Sequence, residues 1–312
     1  MKALRDAFGD EIVVLGKENK NIYVIDCDIS KSCKTQEFSS LLPEQHLNVG
    51  IAEQCAAGIG AGLATCGKIP FISTYAVFGS MRMCEQIRQE ICYPNLNVKI
   101  ACSHGGLTPG NDGASHQAIE DYGIMRTLPN MTVMAPCDYY SARKLIRAAS
   151  EIDGPVYIRF TRDPIPFIYN DGEKFEIGKA KLLREGKDVA VIATGAIMSL
   201  AVEACEILEK RGISARLLDF HTIKPIDADA VIAAIDDTGA IVTVEDHNVI
   251  NGVGSAVSEV VASYGKGKVV RMGVQDQFGE SGPYYNLLEK NGVTAVKIAE
   301  QAELLASNKI TK

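Results

Sequence analysis

A single carboxylate stands at the start of an apolar, glycine-rich segment of this sequence. Residues 48–67 read NVGIAEQCAAGIGAGLATCG, and the fourteen residues that follow Glu53 are nearly all Ala, Gly, Ile, Leu or Cys. The pattern predicts a helix, although Gly58, Gly60 and Gly62 each cost it roughly 1 kcal/mol relative to alanine. Because such a helix usually lets another backbone come close, we predict that it is thin and fully buried against a sheet or a partner subunit. Glu53 is then either an ordinary first-turn acid favoured by the helix dipole or a functional carboxylate.

A polar loop, residues 103–121, is the second candidate for chemistry. It reads SHGGLTPGNDGASHQAIED, with four glycines and two histidines, and it leaves the apolar predicted strand 96–103. A polar loop in that place is usually functional or mobile. The spacing of His104 and His116 fits no standard zinc pattern. We therefore favour hydrogen bonding to a polar ligand over metal binding, with a pair of surface histidines as the alternative.

Small polar residues follow the first predicted strand. The strand covers residues 21–26, NIYVID, and Asp28, Ser30 and Ser32 lie just beyond it. Open α/β sheets bind ligands at the carboxyl ends of their strands, so these residues are candidates for a site. Asp and Ser are also common turn residues, and the sequence leaves that alternative open.

The elements that must position these residues alternate between strand and helix along the whole chain. This alternation predicts an α/β protein with a doubly wound parallel sheet, followed by a second α/β unit. The proline-containing stretch after residue 161 breaks the alternation and is interpreted as a linker. The predicted division is a first domain at 1–163, a linker at 164–186 and a second domain at 187–312.

The bulk composition excludes several classes of protein. The 312 residues are 46% hydrophobic and 23% charged with a net charge of −7, and we find no basic cluster, which argues against nucleic acid as a partner. No apolar run approaches the ~18 residues that a membrane span needs. The N-terminal segment carries acids and resembles no targeting peptide. Nine cysteines without a CxxC pair indicate reduced thiols in a cytoplasmic protein, and we expect Cys55, Cys66, Cys84 and Cys92 to be buried.

Seven segments together resemble transketolase. In chain order they are NVGIAEQ, PFISTYAVF, GNDGASHQAIED, RFTR, FHTIKPID, VEDHNVINGVGSAV and FGESGPYYNLLEKNGVT. The chain looks like the pyrimidine-binding domain plus the C-terminal domain of that thiamine diphosphate enzyme. The Gly-Asp-Gly motif, which holds Mg²⁺ and the cofactor diphosphate in the family, does not occur in this sequence. The resemblance therefore implies the C-terminal subunit of a split transketolase, in an α2β2 assembly with a separate N-terminal chain that carries the metal ligands.

The resemblance also implies roles for residues around the cofactor. Glu53 matches the glutamate that hydrogen-bonds the aminopyrimidine ring of thiamine diphosphate. Phe78 matches the aromatic residue that stacks on this ring, and Tyr75 matches a second aromatic residue of the pocket. Asp28 and Ile29 match positions beside the thiazolium ring. The cofactor carries the difficult chemistry, and the protein positions and tunes it.

A phosphorylated sugar is the substrate that the resemblance implies. The positions that match those holding its terminal phosphate are Arg5, Ser32 and Arg162, and an arginine suits this role because its planar fork binds phosphate bidentately. The positions that match those contacting the sugar hydroxyls and the reacting end are His104, Asp112 and His116. With Glu53, the two histidines are the expected catalytic residues, because histidine can move protons near neutral pH.

The expected reaction is transfer of a two-carbon ketol unit from a ketose phosphate to an aldose phosphate, as in the pentose phosphate pathway. Two related enzymes are alternatives: 1-deoxyxylulose-5-phosphate synthase, which looks to carry Arg at the position of His104, and the beta subunit of a 2-oxoacid dehydrogenase. A non-catalytic subunit that keeps the fold is a third. A nicotinamide-binding enzyme is disfavoured, because the glycines at 58–62 lie inside the predicted helix rather than in the turn before it.

Overall fold

The computed structural model describes residues 1–307, so the last five residues of the predicted second domain lie outside the described part. The strands are β1 Ile22–Asp26, β2 His46–Asn48, β3 Ile69–Tyr75, β4 Lys99–Ser103, β5 Thr132–Met134, β6 Val156–Arg159, β7 Lys181–Arg184, β8 Val189–Ala193, β9 Ala215–Asp219, β10 Thr222–Lys224, β11 Ala240–Asn248 and β12 Lys268–Val274. The helices are α1 Leu4–Glu18, α2 Ser30–Cys33, α3 Gln36–Leu41, α4 Glu53–Thr65, α5 Cys84–Gln86, α6 Asp121–Thr127, α7 Tyr139–Glu151, α8 Met198–Lys210, α9 Ala228–Thr238, α10 Val253–Tyr264, α11 Tyr284–Lys290 and α12 Ala295–Ser307.

The first sheet has seven strands in the order β10-β5-β6-β4-β3-β1-β2, and all pairs except β10·β5 are parallel. Successive strand residues point to opposite faces, which gives each face its own core. Phe71 packs with α1, α3 and α7 on one face, whereas Ile72 packs with α4 and α6 on the other. Helices on both faces bury the central parallel strands, as this architecture requires, whereas the edge strand β2 is largely exposed.

The second sheet has the order β12-β11-β8-β9-β7, with β7 antiparallel to β9 at one edge. α8 and α12 cover one face, and α9 and α10 cover the other. The predicted α/β architecture with two parallel-sheet units is confirmed. Residues 181–184 of the predicted linker form β7, because their backbone groups pair with the free edge of β9. α9 begins where the Asp227 side chain caps its first turn by accepting a hydrogen bond from the Ala230 amide.

One strand crosses between the two units. β10 follows β9 in the chain, yet it pairs antiparallel with β5 and forms an edge of the first sheet. Lys224 adds two bonds to the first unit, because its Nζ donates to the carbonyl oxygens of Arg126 and Leu128. The two units are therefore joined through backbone hydrogen bonds as well as through side-chain packing.

The glycine-rich helix α4 differs from the prediction in its burial. Glu53 and Ala57 are buried, but Gln54 and Cys55 are exposed, so the helix is covered on one side only. The backbone approaches β3 closely at Gly60, where an added Cβ would lie 3.0 Å from Ile72, while Gly62 faces open space. Within this chain α4 is therefore buried on the side that faces β3, and burial of its other side against a partner subunit stays a prediction.

The nine cysteines are all free thiols. Cys92 is buried as expected. Cys55, on α4, and Cys66, just after α4, are exposed, and Cys84 is partly exposed. The expected burial of these three was therefore wrong. Within residues 1–307, none of the helices combines the length and apolarity that crossing a bilayer requires.

Candidate active site

The candidate residues meet at the carboxyl edge of the first sheet. β1, β3 and β4 are adjacent and parallel, so the residues that follow them emerge side by side. Tyr75 ends β3, and His104 follows β4 directly. His104 has a φ of +60°, a left-handed conformation that turns the chain sharply away from the sheet.

Glu53 is the first residue of α4, and 3% of it is exposed. Its carboxylate Oε2 accepts a hydrogen bond of 2.9 Å from Nη1 of Arg82. The Arg82 guanidinium also lies over the ring of Phe78, at 4.3 Å from its centroid. Phe78 and Arg82 can both reach this position because residues 78–82 form a π-helical turn, which widens the helix at the site.

Four rings form a cluster next to this ion pair. The rings of Tyr75 and His104 are stacked at 3.9 Å, and those of Tyr75 and Phe78 at 5.9 Å. The ring of His116 meets both aromatic residues edge-on, at 6.1 Å from Tyr75 and 5.6 Å from Phe78. The cluster thus connects the loop that carries both histidines to the residues around Glu53.

His104 is buried, and its ring is electrically neutral near pH 7. Burial lowers the pKa of His104 to about 3, and the positive charges of Arg5 and Arg162 and the His116 ring act in the same direction. Its Nδ1 shares a short hydrogen bond with the hydroxyl of Ser103. A neutral imidazole has one donor and one acceptor nitrogen, so His104 is equipped to hydrogen-bond a hydroxyl or carbonyl group.

The basic candidates lie around the same histidine. Nη1 of Arg5 donates to the carbonyl oxygen of Ser32 at 3.0 Å, and its buried Nε has no hydrogen-bond partner among the described residues. Nη1 of Arg162 contacts Oδ2 of Asp112 at 3.1 Å and donates to the carbonyl oxygen of Pro109 at 2.8 Å. The Arg162–Asp112 pair is about one-third exposed, and such surface pairs contribute only about 0–1 kcal/mol. An anionic ligand could therefore replace this carboxylate at low cost.

Asp28 and Ile29 lie at the same edge, in the turn after β1. The Asp28 amide donates to Oδ1 of Asn48, and Nδ2 of Asn48 donates back to Oδ1 of Asp28, both at 3.1 Å. Asp28 has a φ of +63°, which these two bonds hold in place. The contacts of Asp28 are thus with the end of β2 rather than with the ring cluster.

The structure adds residues to the site that the sequence patterns did not single out. Arg82 is the main one, and its position four residues after Phe78, the spacing of neighbours on one helix face, was the available signal. Ser103 is a second. Arg159 and Asp246 lie beneath the loop 103–121, and both stand in segments of the resemblance, RFTR and VEDHN.

Taken together, the arrangement can bind a flat, nitrogen-containing ring and a polyol anion side by side. Glu53 with Phe78 offers an ionisable carboxylate beside an aromatic face. His104 and His116 offer neighbouring hydrogen-bonding nitrogens, and Arg5 with Arg162 offers positive charge. Within residues 1–307 we find no group of three or more His, Cys, Asp or Glu side chains arranged to hold a metal ion.

Two family models match the chain. The transketolase pyrimidine-binding domain matches residues 1–166, and the transketolase C-terminal domain matches residues 178–298. The first match contains Glu53, the arginines Arg5 and Arg162, and the four clustered rings of Tyr75, Phe78, His104 and His116. The second match covers most of the second α/β unit.

Individual relatives agree with these matches over nearly the full chain. A protein of Methanocaldococcus jannaschii described as a putative transketolase C-terminal section is 46% identical, covering 96% of this chain and 95% of the relative. A 6-deoxy-6-sulfo-D-fructose transketolase subunit of a Clostridium species is 39% identical, covering 98% and 95%. A solved structure described as a split-gene transketolase, an inactive beta4 tetramer, is 47% identical, with a TM-score of 0.92 and coverage of 98% and 99%.

Proposed function

Because this chain belongs to the transketolase family, with the extent of the family's pyrimidine-binding and C-terminal domains, we propose that it is the C-terminal subunit of a two-chain, thiamine diphosphate-dependent transketolase. In this proposal the complex transfers a two-carbon ketol unit from a ketose phosphate to an aldose phosphate. The expected partner is a separate chain with the diphosphate-binding domain and the Mg²⁺ ligands, in an α2β2 assembly. We place the complex in the cytoplasm, where nine free thiols stay reduced.

The observation that carries the proposal is the position of the Arg82 guanidinium. It is a planar cation with N–H donors that lies on the Phe78 ring and hydrogen-bonds Glu53 at once. A flat ring that presents nitrogen to the carboxylate would make the same two contacts, and the aminopyrimidine of thiamine diphosphate is such a ring. When bound, this cofactor supplies the carbanion that cleaves and forms the carbon–carbon bond. Glu53 would hold or donate a proton at the pyrimidine nitrogen, and Phe78 and Tyr75 would keep water from the ring.

The sugar substrate would bind between the ring cluster and the two arginines. Arg5 and Arg162, with Ser32, would hold the terminal phosphate, and Asp112 would exchange its contact with Arg162 for a sugar hydroxyl. His104 would hydrogen-bond the hydroxyl or carbonyl oxygens of the reacting end as a neutral imidazole, and His116 would hydrogen-bond these oxygens and move protons there. Asp28 and Ile29 would line the far side of the cofactor. One relative is described as a transketolase subunit for a sulfonated sugar, which shows that members of the family differ in substrate. We therefore propose a substrate class, the sugar phosphates, rather than one sugar.

A separate partner is supported by the surface of this chain. One side of α4 is exposed immediately beside Glu53, and Ile51, which precedes it, is 76% exposed. This exposed side of α4, with Ile51, Gln54 and Cys55, is the surface beside Glu53 that the partner would cover in the proposal. The related tetramer built from one type of chain is described as inactive, in line with a need for a second chain.

The proposal is tested with the tagged chain purified from its source cells together with whatever binds it. The eluate is assayed with xylulose 5-phosphate and ribose 5-phosphate in the presence of thiamine diphosphate and Mg²⁺. Co-elution of a chain with the Gly-Asp-Gly motif and formation of sedoheptulose 7-phosphate support the proposal. The Glu53→Gln variant, purified in the same way, controls for contaminating transketolase.

Three other outcomes would replace the proposal. Condensation of pyruvate with glyceraldehyde 3-phosphate would indicate a 1-deoxyxylulose-5-phosphate synthase. Consumption of 2-oxoacids alone would indicate a dehydrogenase subunit. A partner-free chain that binds neither cofactor nor sugar would indicate a non-catalytic subunit.

A further inference from the structure

A buried ion network joins the two α/β units directly beneath the loop that carries His104 and His116. Arg159, at the end of β6, is 5% exposed. Its Nη1 donates to Oδ1 of Asp121 at 3.0 Å, and its Nη2 forms a short bond with Oδ1 of Asp246. Asp121 begins α6 in the first unit, whereas Asp246 lies on β11 in the second. One arginine therefore holds a carboxylate from each unit.

The network has little freedom to rearrange. The hydroxyl of Tyr157 donates to Asp121 at 2.6 Å, and the hydroxyl of Tyr284 donates to Asp246 at 3.2 Å. The Arg159 guanidinium also lies 3.8 Å from the centroid of the Tyr122 ring. Removing one partner of such a buried pair leaves a charge without compensation, which costs several kcal/mol. The geometry is thus set by all six side chains together.

The loop rests directly on this network at its beginning. A Cβ added to Gly105 would collide with the Arg159 side chain, and one added to Gly106 would collide with the Asp246 carboxylate. Gly106 also has a φ of +60°, a conformation that other residues rarely adopt. The residue before these two glycines is His104, so the ion pair sets the path of the chain where the histidine leaves β4.

The end of the loop is held by the same network and by the second unit. Nη1 of Arg159 donates to the carbonyl oxygen of Ala118 at 3.4 Å, and the amide of Asn248 donates to the carbonyl oxygen of Ile119 at 2.8 Å. Nε2 of Gln117 donates to the carbonyl oxygen of Glu280 at 2.9 Å. His116 immediately precedes these contacts, so both histidines are anchored through residues one or two positions away.

We propose that Arg159 and Asp246 are positioning residues for the sugar-binding loop, and that the second unit thereby contributes to the site without touching substrate. The proposal rests on the proposed function for the identity of the substrate. In physical terms, the Arg159–Asp246 contact determines how far the His104 and His116 rings lie from the rings of Tyr75 and Phe78. A shift of the loop by about 1 Å would misalign the reacting groups and lower the reaction rate on the order of a hundredfold.

Asp246→Asn tests this, because the amide keeps the shape of the carboxylate and removes its charge. Glu11→Gln is the matched control. Glu11 is also buried, and it contacts Arg143 at 2.8 Å and Arg147 at 2.7 Å, but it lies on α1 with no contact to the loop. Both variants are compared by urea unfolding, by substrate KM and kcat in the assembled complex, and by the ¹H–¹³C NMR resonances of the histidine rings in the full chain.

Both variants are expected to lose stability to a similar degree. Only Asp246→Asn is expected to shift the ring resonances of His104 and His116 and to raise the sugar KM at least tenfold, with cofactor affinity unchanged. Unshifted histidine resonances in a folded Asp246→Asn variant would overturn the proposal, as would equal changes of KM in both variants. If Asp246→Asn fails to fold, Tyr284→Phe removes only one hydrogen bond to Asp246 and is expected to shift the same resonances.

The NMR measurement separates this proposal from the proposed function. The resonances report the position of the loop whether or not the complex turns over any sugar. Absence of transketolase activity in the wild-type complex with shifted resonances in Asp246→Asn would remove the substrate assignment and keep the positioning role. Normal wild-type activity with unshifted resonances in Asp246→Asn would keep the substrate assignment and remove the positioning role.

Discussion

The guanidinium of Arg82 bonds the carboxylate of Glu53 at 2.9 Å while it lies 4.3 Å from the centre of the Phe78 ring. Both groups that we propose to hold the aminopyrimidine are therefore occupied by one side chain. The Arg82 side chain is 46% exposed and Glu53 is buried, so the arginine can swing out while the carboxylate stays in place. The pair is stabilised less than a fully buried one, since solvent screens the exposed partner.

Arg82→Ala is expected to strengthen binding of the aminopyrimidine half of the cofactor. Arg82 competes with the pyrimidine for the Glu53 carboxylate and the face of the Phe78 ring. When a site is free for only a fraction of the time, its apparent Kd is the intrinsic Kd divided by that fraction. We expect a three- to tenfold lower Kd for 4-amino-5-aminomethyl-2-methylpyrimidine, measured by calorimetry on the full chain. Arg88→Ala, which removes an exposed arginine six residues further along, serves as the control. Unchanged or weaker binding to Arg82→Ala would contradict competition.

Glu53→Gln is expected to leave the fold intact and to lower kcat by at least about a hundredfold, the usual contribution of an acid–base group. The amide keeps the shape of the side chain but cannot exchange a proton with the pyrimidine nitrogen. The measurement is turnover of the complex with its partner, with melting temperature as the check on folding. Glu90→Gln, at an exposed position, is the control. Normal turnover in Glu53→Gln would remove the carboxylate from the mechanism.

Arg162→Ala is expected to raise KM at least tenfold for phosphorylated sugars and to change it little for unphosphorylated analogues. The reason is that a guanidinium recognises the phosphate rather than the polyol. Steady-state kinetics with paired substrates measure the difference. Arg184→Ala removes an arginine of similar exposure, paired with Glu209 in the second unit, and is expected to have no effect. Equal increases for both classes of substrate would place Arg162 outside the phosphate site.

His104 is expected to stay neutral from pH 5 to pH 9, because burial and the nearby arginines lower its pKa to about 3. In the unfolded chain a histidine titrates near pH 6.5, so below that pH the unfolded state binds more protons than the folded state. The stability contributed by the neutral ring is therefore complete above pH 6.5 and is lost as the pH falls towards 3, by up to about 1.4 kcal/mol per pH unit.

NMR titration of the ring checks the first half of this prediction, with His104→Asn to assign the resonance. Urea unfolding of both proteins at several pH values checks the second half. The stability of the wild type relative to His104→Asn should decline between pH 6.5 and pH 4. A His104 resonance that titrates near pH 6.5 would show that the ring is solvated.

The local pattern of the sequence predicts the elements at the site well. Glu53 begins the predicted helix, and His104 follows a predicted strand, because periodicity and strand ends are properties of a few neighbouring residues. The stacking of Tyr75 on His104 and the pairing of Arg82 with Glu53 were not predictable in that way. They depend on the order of strands in the sheet and on a π-helical turn, which no short segment encodes by itself.

The sequence by itself determined the α/β class, the two units, and the residue types that a cofactor and a sugar phosphate would need, since each follows from local pattern or from motifs in order. The tertiary structure decided which of them meet. Glu53 and Arg82 are 29 positions apart, and Arg159 and Asp246 are 87 apart and on different sheets. It also decided that β10 crosses to the first sheet. Such contacts between distant residues form only when whole sheets and helices pack, because burial and charge pairing act between surfaces rather than along the chain.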